Sequence, residues 1–198
     1  LDQDASVFNV KDAYEDGNAD FHTIVAEMAE IPRDQAKTIN LGLFYGMGKA
    51  KLQAELGVSK DKAEELFSIY HERVPFVKSL TRSVSNRAQQ RGQIRTLLGR
   101  LCRFHLWEPN TFGMHKALPF DQAVQEHGPG IKRAYTYKAL NKLIQGSAAD
   151  MTKQSMLDLY REGIVPHIQI HDELDISVES ESQAKKIIDI MENAVKLK

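Results

Sequence analysis

The sequence predicts an α+β chain dominated by helices, and three observations carry that expectation. Apolar residues recur at helical spacing from Ile31 to Arg91, and a second helical pattern runs from Ala134 to Arg161. A short segment from His167 to Val178 instead alternates with the two-residue period of paired strands.

Each element follows from local chemistry. Ile31-Pro32 marks the first helix start, since proline has no N–H to lose in a first turn, and the pattern continues to Gly46-Met47-Gly48. Helices are expected over Ala50 to Leu56, Lys60 to Tyr70 and Phe76 to Arg91, divided by Gly57-Val58-Ser59 and Val74-Pro75, with Gly92 as the final stop. Residues 93 to 104 read as a short strand pair or an extended segment around Leu98-Gly99. From Trp107 to Gly130 no period is sustained, and Pro109, Gly113, Pro119 and Gly128-Pro129-Gly130 interrupt any element, which predicts a long loop of a functional or inserted kind. The helix from Ala134 to Arg161 is expected to bury Leu140, Leu143, Ile144, Ala148 and Met151. Ile168 and Ile170 before His171-Asp172-Glu173, and Leu174, Ile176 and Val178 after it, predict a hairpin with the carboxylates at its tip.

Composition bounds the answer without naming a function. A chain of 198 residues, 42% hydrophobic and 27% charged, is long enough for one or two domains with a real core. Cys102 is the single cysteine, so an intrachain disulfide is excluded, in keeping with a reducing cytoplasmic setting. The absence of an 18-residue apolar run or a secretory signal gives no reason to expect a membrane partner. Nothing fixes the oligomeric state. Leu1 in place of an initiator methionine leads to the expectation of an upstream part.

A formal net charge of −1 argues against a nucleic-acid partner until its distribution is considered. Residues 73 to 103 carry Arg73, Lys78, Arg82, Arg87, Arg91, Arg95, Arg100 and Arg103 with no acid, whereas residues 1 to 30 carry a run of acids against Lys11 alone. Segregated cations favour a polyanion over a merely soluble helix face, which usually mixes signs.

The stripe Arg33, Lys37, Leu41, Tyr45 is the most informative local feature. At about 100° per residue these four positions drift only about 120° around a helix, so they share one face over about 18 Å of rise. Two cations at one end suit phosphate oxygens, and the ring at the other can stack on a base. The plainer reading is surface charge beside core residues. At the hairpin, Asp172 offers an oxygen ligand of the kind Mg²⁺ prefers, although acidic turns are common.

Taken together, the Arg33-x3-Lys37-x7-Tyr45-Gly46 helix, the Leu140-Asn141-Lys142-Leu143-Ile144-Gln145-Gly146 helix and the His171-Asp172-Glu173 hairpin resemble, in order, the signature segments of DNA polymerase I-type (family A) enzymes. The first resembles that family's motif B and the last its motif C. Asp20-Phe21-His22 and Thr96-Leu97-Leu98-Gly99-Arg100 extend the similarity, which points toward bacteriophage members. The 107 to 130 segment looks longer than the usual connection.

The resemblance implies a right-hand polymerase fragment with mostly helical fingers and part of an antiparallel-sheet palm. Residues 1–30 would connect palm to fingers, 31–135 would form fingers with a long loop at 107–130, and 136–198 would form the palm part bearing the metal hairpin. The implied activity is addition of deoxynucleoside triphosphates to a primer 3′ end on a DNA template, with two Mg²⁺ ions stabilising the attacking and leaving oxygens. Asp172 would be a metal ligand and Glu173 a supporting catalytic group. Lys37 would neutralise the triphosphate and protonate the departing pyrophosphate. His22 and Arg33 would hold the outer phosphates, Leu41 would lie beside the sugar, and Tyr45 would wall the nascent base pair. Asn141, Gln145, His171, Arg133, Arg87 and Arg91 would contact primer-template DNA.

Two departures stand out. Leu41 occupies a position usually held by Phe or Tyr, and Tyr137 stands where a basic primer-contacting side chain is common, leaving Arg133 or Lys138 as substitutes. The family's motif A, with the other metal-binding aspartate, is expected before Leu1, so the chain alone should be inactive. The competing readings are a single-subunit RNA polymerase, whose hairpin typically reads His-Asp-Ser, and a non-catalytic DNA-binding module using the basic stretch.

Overall fold

A computed structural model describes residues 22, 23, 26, 27, 30–73, 75–111, 113 and 115–197. The acidic segment and the connection expected over residues 1–30 fall almost wholly outside the described residues. Helices α1 (Arg33–Phe44), α2 (Lys49–Leu56), α3 (Lys60–Arg73) and α4 (Pro75–Arg91) follow one another closely. Pro32 caps α1 in extended geometry, so the missing N–H costs nothing. Gly57 takes a left-handed φ of 64° to end α2.

Two cores form. Ala36, Ile39 and Leu43 of α1 pack with Leu52, Leu66, Tyr70 and Val77 in the first. In the second, Val84 and Ala88 of α4 meet Ile94, Phe104, Ala139 and Leu140. Full burial of a leucine such as Leu52 or Leu140 stabilises by about 1.5–3 kcal/mol.

Gly92, with a φ of 66°, ends α4 and leads into the antiparallel pair β1 (Gln93–Arg95) and β2 (Leu101–Arg103). The expected strand pair is therefore present. The expected 107 to 130 loop is not. That segment contributes β3 (Leu106–Pro109), β4 (Leu118–Pro119), α5 (Phe120–His127) and the start of the approach to β5 (Ile131–Arg133), with sheet order β4-β3-β5. Its strands are too short to show a period, and Pro109 and Pro119 sit at strand ends, where a missing donor is tolerated. Trp107 anchors the small sheet, meeting Phe120 edge-on at 5.0 Å and the Arg133 guanidinium at 4.4 Å.

The long helix begins later than its pattern predicts. Tyr135 adopts a left-handed φ of 61°, a single 3₁₀ turn spans Thr136–Lys138, and α6 runs Ala139–Arg161. Its buried face is Ala139, Leu140, Asp150, Ser155 and Leu159, while Ala148 is exposed and Leu143, Ile144 and Met151 are half-buried. Leu143 and Ile144 still pack against the second core, and the turn between β1 and β2 bonds to α6 at Gly146 and Ser147.

Strands β6 (Ile168–Ile170) and β7 (Glu173–Asp175) form a hairpin, and α7 (Glu181–Asn193) returns along α6 with Ile187 buried. The Ser180 hydroxyl accepts from Gln183 N–H and caps α7. No helix among the described residues is long and apolar enough to cross a membrane.

Candidate active site and nucleic-acid face

The α1 stripe faces outward. Arg33, Lys37 and Leu41 are exposed while Ala36, Ile39, Asn40 and Leu43 are buried, so the core fixes the helix rotation that presents the stripe. Leu41 keeps 44% of its surface, so its side chain is open to a ligand laid along the stripe. Asn40 borders the stripe, and its Nδ2 lies 3.0 Å from Nδ1 of His22. That contact brings His22 beside α1 at Asn40.

Tyr45 follows the last residue of α1 and turns inward. Its ring meets Phe44 edge-on at 5.5 Å, and its Oη accepts a 2.9 Å hydrogen bond from Gln145 Nε2 on α6. Residues 100 positions apart thus join the aromatic end of the stripe to the amides of α6. Asn141 and Gln145 are both exposed, one turn apart on the same helix face. A double-mutant cycle of Tyr45→Phe and Gln145→Ala is expected to give a coupling of about 0.5–1.5 kcal/mol. Urea unfolding measures it; strict additivity would mean that the contact is not populated in solution.

Beneath this face lies an ion pair that the sequence reading missed. Arg100 Nε donates to Asp150 Oδ1 at 2.6 Å, and its Nη2 donates to the Gly146 carbonyl at 2.9 Å. The Ser147 hydroxyl accepts from Leu97 N–H. A Cβ at Gly146 would meet Thr96 Cγ2 at 2.9 Å, so only glycine lets the turn approach α6 this closely. Burial pushes the Asp150 carboxyl up, but the Thr96 hydroxyl and the Arg100 guanidinium hold it below the usual carboxylate range. An acid on an otherwise small, apolar stretch, Ala148-Ala149-Asp150, was the available signal. Arg100 is consequently one member of the basic stretch that is engaged by its own chain, although its side chain stays half-exposed.

Arg133 also turns inward. Its Nη1 donates to Phe104 O at 2.9 Å, its plane covers Trp107, and a Cβ at Gly92 would strike its Cζ at 2.6 Å. The residue expected to contact DNA is committed to holding β5 against β2 and β3. Arg87 and Arg91 remain exposed, one turn apart on α4.

The β6–β7 hairpin pairs Ile170 with Glu173 across a two-residue turn, His171-Asp172. His171 sits at the first turn position with φ 52°, where glycine would be unstrained. Gln169 Nε2 donates to the His171 carbonyl, and His167 Nε2 lies 2.9 Å from Ser177 Oγ, bracing both arms. Directly opposed residues share a face, so Ile168 and Ile170 lie with Glu173 and Asp175, and Leu174 lies on the other side. The alternating apolar sets therefore do not form one buried face, and both isoleucines remain 54% exposed.

Asp172 and Glu173 are exposed at the tip, within reach of an incoming oxygen-ligated cation. No group of three or more His, Cys, Asp or Glu that could hold a metal occurs among the described residues. Nor does any hydrogen bond or ion pair among them link Asp172 or Glu173 to Lys37 or Tyr45.

Comparison with known proteins bears on this arrangement. A family profile described as DNA polymerase family A matches residues 6–198. A DNA-directed DNA polymerase of Pseudomonas phage M6 is 30% identical over 97% of this chain and 31% of its own length. DNA polymerase I of Rhizobium leguminosarum is 28% identical over 96% of the chain and 19% of its own length. The chain thus spans a third or less of these relatives. Among solved structures, the POL domain of Pol1 from M. smegmatis, in complex with DNA primer-template and dNTP, superposes with a TM-score of 0.69. That match covers 94% of the chain and 33% of the polymerase domain at 24% identity, and it establishes a shared fold.

Proposed function

The chain belongs to DNA polymerase family A, and from that premise we propose that it forms the nucleotide-gripping and metal-hairpin part of an enzyme that copies DNA from deoxynucleoside triphosphates. The observation that carries the reading is the Gln145–Tyr45 hydrogen bond, which makes the stripe and the α6 amides one continuous surface. A triphosphate laid along α1 would place its phosphates at Arg33, Lys37 and His22, and its base beside Tyr45. Lys37 supplies a mobile cation and a proton for the leaving pyrophosphate. Asn141 and Gln145 would face the minor groove, where acceptors look alike for every Watson–Crick pair, so amide donors test geometry without reading sequence. A single-subunit RNA polymerase is not favoured, given the family match and Glu173 after Asp172.

The donor set at the hairpin tip fits a hard divalent cation. Asp172 would supply the carboxylate, with Glu173 supporting it, and the remaining ligands would come from water, phosphate and other carboxylates. When bound, Mg²⁺ supplies charge stabilisation at the attacking and leaving oxygens, two ions being the expected number. A bacterial or infected-host cytoplasm is the corresponding location.

Primer extension by the intact protein tests the reading: templated deoxynucleotide addition is expected, and DNA binding without extension would favour a non-catalytic module. Leu41 makes a separate prediction. It has neither ring nor hydroxyl to compensate for a missing 3′-OH, so dideoxynucleotides should be poor substrates. Leu41→Tyr adds one hydrogen-bonding group worth about 0.5–1.5 kcal/mol and should shift the dideoxy-to-deoxy ratio about 2- to 13-fold toward dideoxy. Equal use of both by the unaltered enzyme would sink this assignment.

A further inference from the structure

The turn between β1 and β2 is tied to itself and to α6. Thr96 N–H donates to the Arg100 carbonyl, Arg100 N–H returns to the Thr96 hydroxyl at 3.0 Å, and Arg95 Nη1 donates to the Gly99 carbonyl at 2.9 Å. From this closed turn two groups reach the helix. Leu97 N–H donates to the Ser147 hydroxyl, which itself donates to the Leu143 carbonyl at 2.7 Å. The Arg100 guanidinium spans a full helical turn, from the Gly146 carbonyl to the Asp150 carboxylate. At about 100° per residue, Gly146, Ser147 and Asp150 lie about 100–200° around α6 from Gln145. The turn therefore grips the flank of the helix away from the exposed amides of Asn141 and Gln145.

A buried carboxylate is a costly way to hold a helix, since apolar packing does so without desolvating a charge. What a forked, charge-assisted contact adds is direction. Direction matters here because side-chain tips lie about 5–6 Å from a helix axis. Turning α6 by about 10° would carry the Gln145 amide about 1 Å, enough to break its 2.9 Å bond to Tyr45 Oη. We propose that Arg100 is a positioning residue for templated synthesis: its fork on Gly146 and Asp150 sets the rotation of α6 that holds the Gln145 amide where it tests the pair at the primer end. The inference rests on the polymerase reading and deepens it, and it asks for no contact between Arg100 and DNA. An amide donor bonds the minor-groove acceptor of a correctly shaped pair, whereas a misshapen pair displaces that acceptor and forfeits the bond. Misplacing the donor therefore slows extension from matched ends and leaves mismatched ends nearly as they were.

The test uses the intact protein and primer-templates that end in either a matched or a mismatched pair. Single-turnover extension at saturating nucleotide gives the ratio of matched to mismatched rates. Gln145→Ala should lower that ratio about 2- to 13-fold, the worth of one hydrogen bond. Arg100→Lys keeps a cation beside Asp150 but lacks the fork, and it should lower the ratio by a similar factor. The double variant should lose no more than Gln145→Ala alone, since both changes remove the same contact. If Arg100→Lys does not fold, Ser147→Ala carries the test: it removes the Leu97 anchor, spares the ion pair, and should lower the ratio by a smaller factor. A role in stability alone leaves fewer active molecules and slows both kinds of end in equal proportion, with the ratio unmoved. That result overturns the inference, as does a double variant whose losses multiply. Templated addition by the unaltered protein reads the polymerase assignment separately: its absence overturns both readings, whereas normal addition with an unmoved ratio in the variant overturns the positioning role alone.

Discussion

Asp172→Asn in the intact protein is expected to reduce deoxynucleotide addition by about 10³-fold or more, with primer-template affinity changed by about twofold at most. The side chain is exposed at the second position of a two-residue turn. Asn is nearly isosteric, so the turn and the left-handed His171 beside it are undisturbed. What changes is charge. An amide oxygen is a weak ligand for a hard cation that has to be stripped of part of its water, and the stabilisation supplied at the reacting oxygens falls with the metal's occupancy. Single-turnover extension across a Mg²⁺ titration reads the effect directly. Addition in the variant at the unaltered rate would refute the metal assignment, whereas loss of addition with unchanged DNA affinity separates chemistry from binding.

The contrast between Asp172 and Asp150 shows what the sequence could and could not disclose. Asp172 is legible because its neighbours alternate and because a hairpin tip is a local event, fixed by a few residues on either side. The α1 stripe is legible for the same reason: one helical period places Arg33, Lys37 and Leu41 on one exposed face, with Tyr45 just past the helix end. Asp150 carries no local signal of its partner, because the β1–β2 turn that delivers Arg100 to it lies about fifty positions earlier. The contacts of Arg133 with Trp107, Phe104 and Gly92 are likewise ones that no spacing rule encodes. Short strands fail differently. β3, β4 and β5 hold two to four residues each, fewer than a period needs to declare itself. Their prolines read as breakers although they only mark ends. The apolar residues of the hairpin alternate as predicted, yet the two-residue turn sends them to opposite faces, because register is a property of the pair and not of either strand.

Arg100→Ala is expected to destabilise the chain by about 2–3 kcal/mol near pH 7, with the loss shrinking as the solution is acidified. Removing one partner of a buried pair typically costs about 3–5 kcal/mol, because the other charge is left without compensation. Here Asp150 is 7% exposed but Arg100 is 48% exposed, so water already screens part of the interaction and the lower figure applies. The pH dependence follows from the direction of the carboxyl shift. In the native chain the Asp150 carboxyl lies below its unfolded value, so it contributes stability that is fully present above about pH 4 and lost as pH falls through its native value. In the variant, burial remains while the guanidinium is gone. The carboxyl then moves upward, and its ionised form becomes a burden that protonation relieves. Unaltered chain and variant should therefore converge in acid and diverge toward neutrality, as followed by urea unfolding with Trp107 fluorescence. A pH-independent difference would mean that Arg100 acts through its aliphatic stem alone. Arg100→Lys distinguishes further: it keeps the charge beside Asp150 but lacks the planar fork that also reaches the Gly146 carbonyl, so it should restore the acid limb and only part of the stability. The same fork connects stability to function, for Gly146 follows Gln145 directly in α6. If the carbonyl at Gly146 is the anchor for that helical turn, both Arg100 variants should also weaken the coupling between Gln145 and Tyr45, whereas a charge-only role leaves that coupling intact in Arg100→Lys.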